Sequence, residues 1–243
     1  MKSRLDTIVA HTAGITRIQA LGLIRTGKVL SQSGEVLDKP GVQYDDAIAL
    51  DIRDGSLYVS RGGEKLAAAL DAFQIDPSGT IAVDVGASTG GFTDCLLQRD
   101  AARVYAIDVG YGQLAWKLRN DPRVVVMERT NIRNVTPADF AEKPDFFTAD
   151  CSFISLRLVL PTLASLLSAG AVGVVLIKPQ FEAWRDQVGK GGVVRDPKIH
   201  DAVIRKVIES AREFGFTPGR VTPSPLLGPA GNREFLAELT YDG

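Results

Sequence analysis

From residue 63 onward, short apolar runs alternate with amphipathic ones, and few folds accept that order. GEKLAAALDAF (63–73) places Leu66, Leu70 and Phe73 on one helical face. TIAVDVG then reads as a strand, FTDCLLQR as a helix, RVYAIDV as a strand, GQLAWKL as a short helix and RVVVME as a strand. PDFFTAD, LRLVLPTLASLL and AVGVVLIK continue as strand, helix and strand, and KIHDAVIRKVIESAREFG (198–215) is a long amphipathic helix. Strands separated by helices predict a doubly wound α/β domain with a mostly parallel sheet. PGRVTPSPLLG and NREFLAELTYDG follow with no helix between them, which predicts a closing antiparallel hairpin.

The first strand enters DVGASTGGFTD (84–94), a strand–glycine turn–helix sequence suited to holding a cofactor. Its glycines fall at Gly86, Gly90 and Gly91. A phosphate-binding P-loop requires Lys-Ser/Thr after the last glycine, and here Phe92 and Thr93 follow. A dinucleotide fingerprint is G-x-G-x-x-G, whereas this turn is G-x-x-x-G-G, which disfavours a nicotinamide dehydrogenase. What the turn offers is close backbone approach and the small polar side chains of Ser88 and Thr89. Asp84, just before it, is placed to take an ammonium group. Asp108 ends the next strand and is placed to accept both hydroxyls of a ribose. A nucleoside with an amino-acid tail and no diphosphate fits this set, and S-adenosylmethionine is the obvious candidate. The alternative is a tight turn in an α/β protein that binds no nucleotide.

Ligands of open α/β sheets bind outside the carboxyl ends of the strands. Asp150 ends PDFFTAD and Lys178 ends VVLIK, so both share an edge with the glycine turn. Glu234 begins the last strand and joins them if that strand runs antiparallel. Lys65, in the first turn of its helix, joins them if that helix start packs beside the turn. Two lysines and two carboxylates would suit methyl transfer to a hydroxyl that does not ionise at neutral pH and needs a base or a cationic field. Which lysine takes the proton stays open, and the alternative is two unrelated surface ion pairs.

A net charge of -1 excludes a chain that coats nucleic acid by bulk charge, so any RNA contact must use a local basic patch. Cys95 and Cys151 are the only cysteines and lack metal-ligand spacing, so they read as reduced thiols of a cytoplasmic protein with no metal site. Residues 158–177 carry no charge over a spanning length, but Pro161, Gly170 and Gly173 break them into a helix, a turn and a buried strand. No membrane span or signal peptide is expected. Residues 1–55 differ in texture. TRIQALGLIRTGKVL (16–30) suits a helix with Ile18, Leu21 and Ile24 inward, followed by short alternating segments, and residues 56–62 read as a linker to a domain over 63–243.

YVSRGGEKL, DVGASTGGFTD, AIDVGYGQL, TADCSFISL, LIKPQFE, VGKGGVVRDP and GNREF, in this order, resemble the TlyA family, and the resemblance covers nearly the whole chain. That family joins an S4-type RNA-binding domain to an FtsJ/RrmJ-like methyltransferase. The resemblance implies a Rossmann-like class I methyltransferase sheet with a terminal antiparallel strand, preceded by a small α+β S4-like domain. It implies S-adenosylmethionine-dependent 2'-O-methylation of a cytidine in ribosomal RNA, with the short N-terminus resembling the subgroup that modifies the large subunit. An older family label is hemolysin. The Lys-Asp-Lys-Glu tetrad of related enzymes falls on Lys65, Asp150, Lys178 and Glu234, the cofactor turn on Gly86 to Gly91 and the ribose acid on Asp108. In the S4-like part, Arg4, Arg17, Arg25 and Lys28 are where such domains present charge to RNA phosphates. Lys190 and Arg195, in the glycine-rich loop 188–197, are placed to meet the RNA backbone. Besides the enzyme, two readings compete: an RNA-binding assembly factor with vestigial catalysis, and a membrane-active hemolysin.

Overall fold

The computed structural model describes residues 2–25, 27–52, 57–228 and 230–243. They form two compact units, divided between Leu57 and Tyr58.

The N-terminal unit contains β1 (Lys2–Arg4), α1 (Leu5–Ala13), α2 (Arg17–Arg25), β2 (Val29–Ser31), β3 (Gln43–Asp45) and β4 (Leu50–Ile52). β1 pairs with β3 and β2 with β4, both antiparallel. Strand β1 and helix α1 are additions to the sequence reading. LDTIVAHTA buries Leu5, Ile8 and Val9, and Gly14 ends the helix in the left-handed conformation at φ 64°. Leu5, Val9, Ala20, Ile24, Val29 and Leu37 make the core of this unit. Helix α2 corrects the expected inward face. Ala20 and Ile24 are buried, Leu21 is half-buried, and Ile18 is 81 % exposed. Ala20 and Ile24, four residues apart, lie nearly above one another on a helix, whereas Ile18 lies on the opposite side from Ala20.

The second unit holds α3 (Arg61–Phe73), β5 (Ile81–Val85), α4 (Gly91–Gln98), β6 (Arg103–Ile107), α5 (Trp116–Arg119) and β7 (Val124–Met127). It continues with β8 (Phe146–Ala149), α6 (Leu160–Leu166), β9 (Val172–Ile177), α7 (Pro179–Glu182), α8 (Pro197–Glu213), β10 (Phe216–Pro223) and β11 (Phe235–Tyr241). Most of the stretch expected to be linker belongs to this unit, while its first residue, Ser56, lies outside the described residues. Tyr58 is buried, the Val59 N–H donates to Asp94 at 2.8 Å, and α3 begins at Arg61.

Seven strands form one sheet in the order β10-β11-β9-β8-β5-β6-β7. β5 to β9 are parallel, and β11 runs antiparallel between β9 and β10. Strand order reverses between β5 and β8, which opens a crevice outside their carboxyl ends. Alternate residues pack on opposite faces, as the two-residue period of a strand requires. Val83, Val85, Phe147, Val175 and Ile177 join α6 and α8 in one core. Ala82, Phe146, Val174 and Leu176 join α3 and α4 in the other, where Leu66, Leu70 and Phe73 are buried as their spacing predicts. Among the described residues no helix is long and apolar enough to cross a membrane.

Candidate active site

An open cleft of about 890 Å³ lies at the reversal of strand order. Its walls include Gly86 and Ser88 from the turn after β5, Asp108 after β6, and Asp150, Ser152 and Phe153 after β8. At Gly86, φ is 83°, and a Cβ there would sit 2.5 Å from the Asp150 carbonyl oxygen. Only glycine lets the turn and the end of β8 approach this closely. Asp108 receives the Ser88 N–H at 2.7 Å on one carboxylate oxygen and the Gly110 N–H at 2.6 Å on the other. Each oxygen keeps a further lone pair, so the acid is fixed in place without being saturated.

The turn divides in two. Gly86 and Ser88 face the cleft, while Gly90 packs on Leu114 and Leu118, and Gly91 abuts Ser60 and Gly63 at the start of α3. The Thr89 carbonyl accepts the Ala115 N–H, and Thr89 does not line the cleft. Asp84 also departs from the expected ammonium contact. As an alternate residue of β5 it points under α4, fully buried, accepting hydroxyls from Thr93 at 2.7 Å and Thr148 at 2.8 Å. It braces the turn from beneath.

Burial pushes the Asp84 carboxyl up to about 6, with the two threonine hydroxyls opposing. The unfolded chain releases that proton near 3.8 and the folded one near 6, so folding takes up a proton between those values. Stability should fall by about 3 kcal/mol as pH rises from about 4 to about 6, and stay level above. Asp84→Asn should flatten that segment, which denaturant titration of both proteins across this range checks. Parallel curves for the two would sink the assignment.

The four polar residues of the sheet edge form two ion pairs. The Lys178 ammonium pairs with Asp150 Oδ1 and donates to Ser152 Oγ at 3.0 Å. Lys65 Nζ donates to Glu234 Oε2 at 2.6 Å, with Lys65 8 % and Glu234 1 % exposed. Both conditions set by the sequence reading are met. Strand β11 is antiparallel, pairing Phe235 with Ile177, so Glu234 and Lys178 are the next residues out along adjacent strands. The start of α3 abuts the start of α4. One pair is on the cleft wall through Asp150, and the other is buried and does not line the cleft.

The basic candidates differ among themselves. Arg4 and Arg17 both bond the buried Asp6 carboxylate, at 2.9 and 3.0 Å, and the Arg4 bond is the largest cause holding that carboxyl at about 2. Arg25, Lys190 and Arg195 are exposed and Lys28 is half-buried. The glycine-rich loop 188–197 carries a bridge between Gly189 and Val193 and is tied down by Asn232. That side chain accepts the Val194 N–H and donates to the Gly192 carbonyl, both at 2.9 Å. Sequence reading missed Asn232, Ser152, Glu182 and the threonine pair under Asp84. Ser152 and Asn232 are single polar residues in loops, where no periodicity reveals them, and Glu182, Thr93 and Thr148 acquire their roles only from partners brought in by the fold.

A parallel sheet with an inserted antiparallel strand and a cleft bounded by Gly86, Asp108 and Asp150 defines a Rossmann-like methyltransferase. The family model of FtsJ-like methyltransferases matches residues 58–241, and the chain belongs to the FtsJ-like methyltransferase family. The 16S/23S rRNA (cytidine-2'-O)-methyltransferase TlyA of Mycobacterium tuberculosis is 48 % identical over 241 residues, 98 % of this chain and 90 % of that one. Hemolysin A of Brachyspira hyodysenteriae is 40 % identical over 97 % of this chain and 99 % of its own. The solved fibrillarin of Aeropyrum pernix with S-adenosyl-L-methionine bound shares the fold, with a TM-score of 0.53 at 17 % identity over 74 % of this chain and 76 % of that one.

Proposed function

We propose that this chain transfers the methyl group of S-adenosylmethionine to the ribose 2'-oxygen of a cytidine in ribosomal RNA, with the large subunit as its substrate. The observation that carries the reading is the Lys178–Asp150 pair on the wall of the cleft that Gly86 and Asp108 bound. The close approach at Gly86 and the unsaturated carboxylate of Asp108 suit a nucleoside with a compact polar tail. S-adenosylmethionine supplies an electrophilic methyl carried on sulfur.

The protein's own groups do the rest. A ribose hydroxyl has two lone pairs and one proton to place. The Lys178 ammonium donates to one lone pair and favours negative charge on the oxygen, leaving the other lone pair to attack the methyl carbon. As the new C–O bond forms and the sulfur–methyl bond breaks, its electron pair staying on sulfur as a neutral thioether, the hydroxyl proton turns strongly acidic and passes to the Asp150 carboxylate, then to water. The Lys65–Glu234 pair holds the edge behind Lys178. In the N-terminal unit, Arg25 and Lys28 meet RNA phosphates, and Arg4 and Arg17 contribute less because each shares the charge of Asp6. Lys190 and Arg195 add contacts from the tethered loop. Free thiols at Cys95 and Cys151 suit the cytoplasm.

The test is transfer of labelled methyl from S-adenosylmethionine to ribosomal subunits lacking the modification, with ribose-methyl mapping. Label on a cytidine 2'-oxygen of large-subunit RNA is expected. RNA binding without cofactor binding or transfer would favour the assembly factor, and lysis of membranes by the purified protein would favour the hemolysin.

A further inference from the structure

An ammonium group has three N–H donors and rotates freely about its Cε–Nζ bond unless partners hold it. Lys178 has two partners among the described residues, Asp150 Oδ1 and Ser152 Oγ. The Asp150 contact is an ion pair that holds the nitrogen in place, and the Ser152 hydrogen bond sets the rotation about Cε–Nζ and with it the direction of the other N–H donors. We propose that Ser152 is a positioning residue that locks the Lys178 ammonium so that its remaining N–H points at the substrate hydroxyl. This inference rests on the methyl-transfer reading above.

The loop that presents Ser152 is built to hold it still. Before it, the Asp150 carbonyl lies against Gly86. After it, Phe153 takes a φ of 64°, rare for an aromatic residue, and its ring rests 5.0 Å from that of Phe181 in α7. Glu182 then closes the ring. Its buried carboxylate receives the Ser155 hydroxyl at 2.6 Å and the Leu156 N–H at 2.7 Å. The ends of β8 and β9 are thus tied twice, through Asp150–Lys178 and through Ser155–Glu182, with Ser152 inside the closed loop. Strain at Phe153 in a loop so anchored fits a segment whose exact placement matters. Ser152 shares the cleft wall with Gly86 and Asp108, so cofactor affinity is measured beside the rate.

The experiment compares Ser152→Ala, Ser152→Thr, Lys178→Ala and the Ser152→Ala/Lys178→Ala double variant in single-turnover methyl transfer. Cofactor affinity and the NMR signal of the Lys178 ammonium are read alongside. Ser152→Ala should slow transfer about 10-fold or more, a loss larger than any change in cofactor or RNA affinity. Ser152→Thr, which keeps the hydroxyl, should restore most of the rate. In the Lys178→Ala background, removing Ser152 should cost nothing further, because it acts through that lysine. The ammonium signal, sharp in the parent, should broaden in Ser152→Ala. A full rate for Ser152→Ala, or an equal loss in both backgrounds, overturns the inference while leaving the methyl-transfer reading in place. A full rate for Lys178→Ala overturns both.

Discussion

Lys178→Ala should bind S-adenosylmethionine within about twofold of the parent yet transfer methyl 10²–10³-fold more slowly, the loss typical of removing one preorganised donor at developing charge. The two halves of this expectation come from different walls of the cleft. The cofactor contacts proposed above fall on Gly86, Ser88 and Asp108, whereas Lys178 contacts only Asp150 and Ser152 among the described residues. Lys178→Arg should rescue little. A planar guanidinium does not replace the compact ammonium fitted between Asp150 and Ser152. Calorimetric cofactor titration and single-turnover transfer, run on the same preparations, decide the matter. If binding and transfer fall together by the same factor, Lys178 supports the cofactor site and the catalytic assignment is lost.

Sheet architecture was legible because it is written in periodicity. Runs of Val, Ile and Ala separated by amphipathic helices predict the parallel strands, and two strands without a helix between them predict the antiparallel closure. That closure fixes the direction of β11 and so brings Glu234 to the edge that holds Lys178. Edge residues were legible for the same reason, since the end of a strand is readable once the strand is. What stayed hidden depended on which way a side chain turns. Asp84 sits one residue before the end of β5, and strand alternation sends its carboxylate under α4 to Thr93 and Thr148. Ile18 has the composition of a core residue but the wrong angular position on α2. Arg4 and Arg17 look like free cations in the sequence, and only the folded α1 brings Asp6 between them. In each case tertiary packing chose among faces that composition leaves equivalent.

Lys65→Met should be the most destabilising of the tetrad substitutions. Glu234 is 1 % exposed and Lys65 is its ion-pair partner at 2.6 Å. Removing the lysine leaves a carboxylate in a site where water cannot replace the lost partner. Breaking a buried pair in this way costs about 3–5 kcal/mol. For a domain of this size that corresponds to a melting temperature lower by roughly 6–20 °C. The Lys65→Met/Glu234→Gln double variant should recover most of the loss, because no buried charge is left alone. Calorimetry of the parent, the single variant and the double variant measures both steps. A single variant that melts with the parent would mean the pair is hydrated and contributes little. The double variant also separates two roles that the single substitution confounds. If the pair only braces the edge behind Lys178, a refolded and stable double variant should transfer methyl at close to the parent rate. If it stays slow despite normal melting, the charges of Lys65 and Glu234 act on the reaction itself, because stability has then been restored without them.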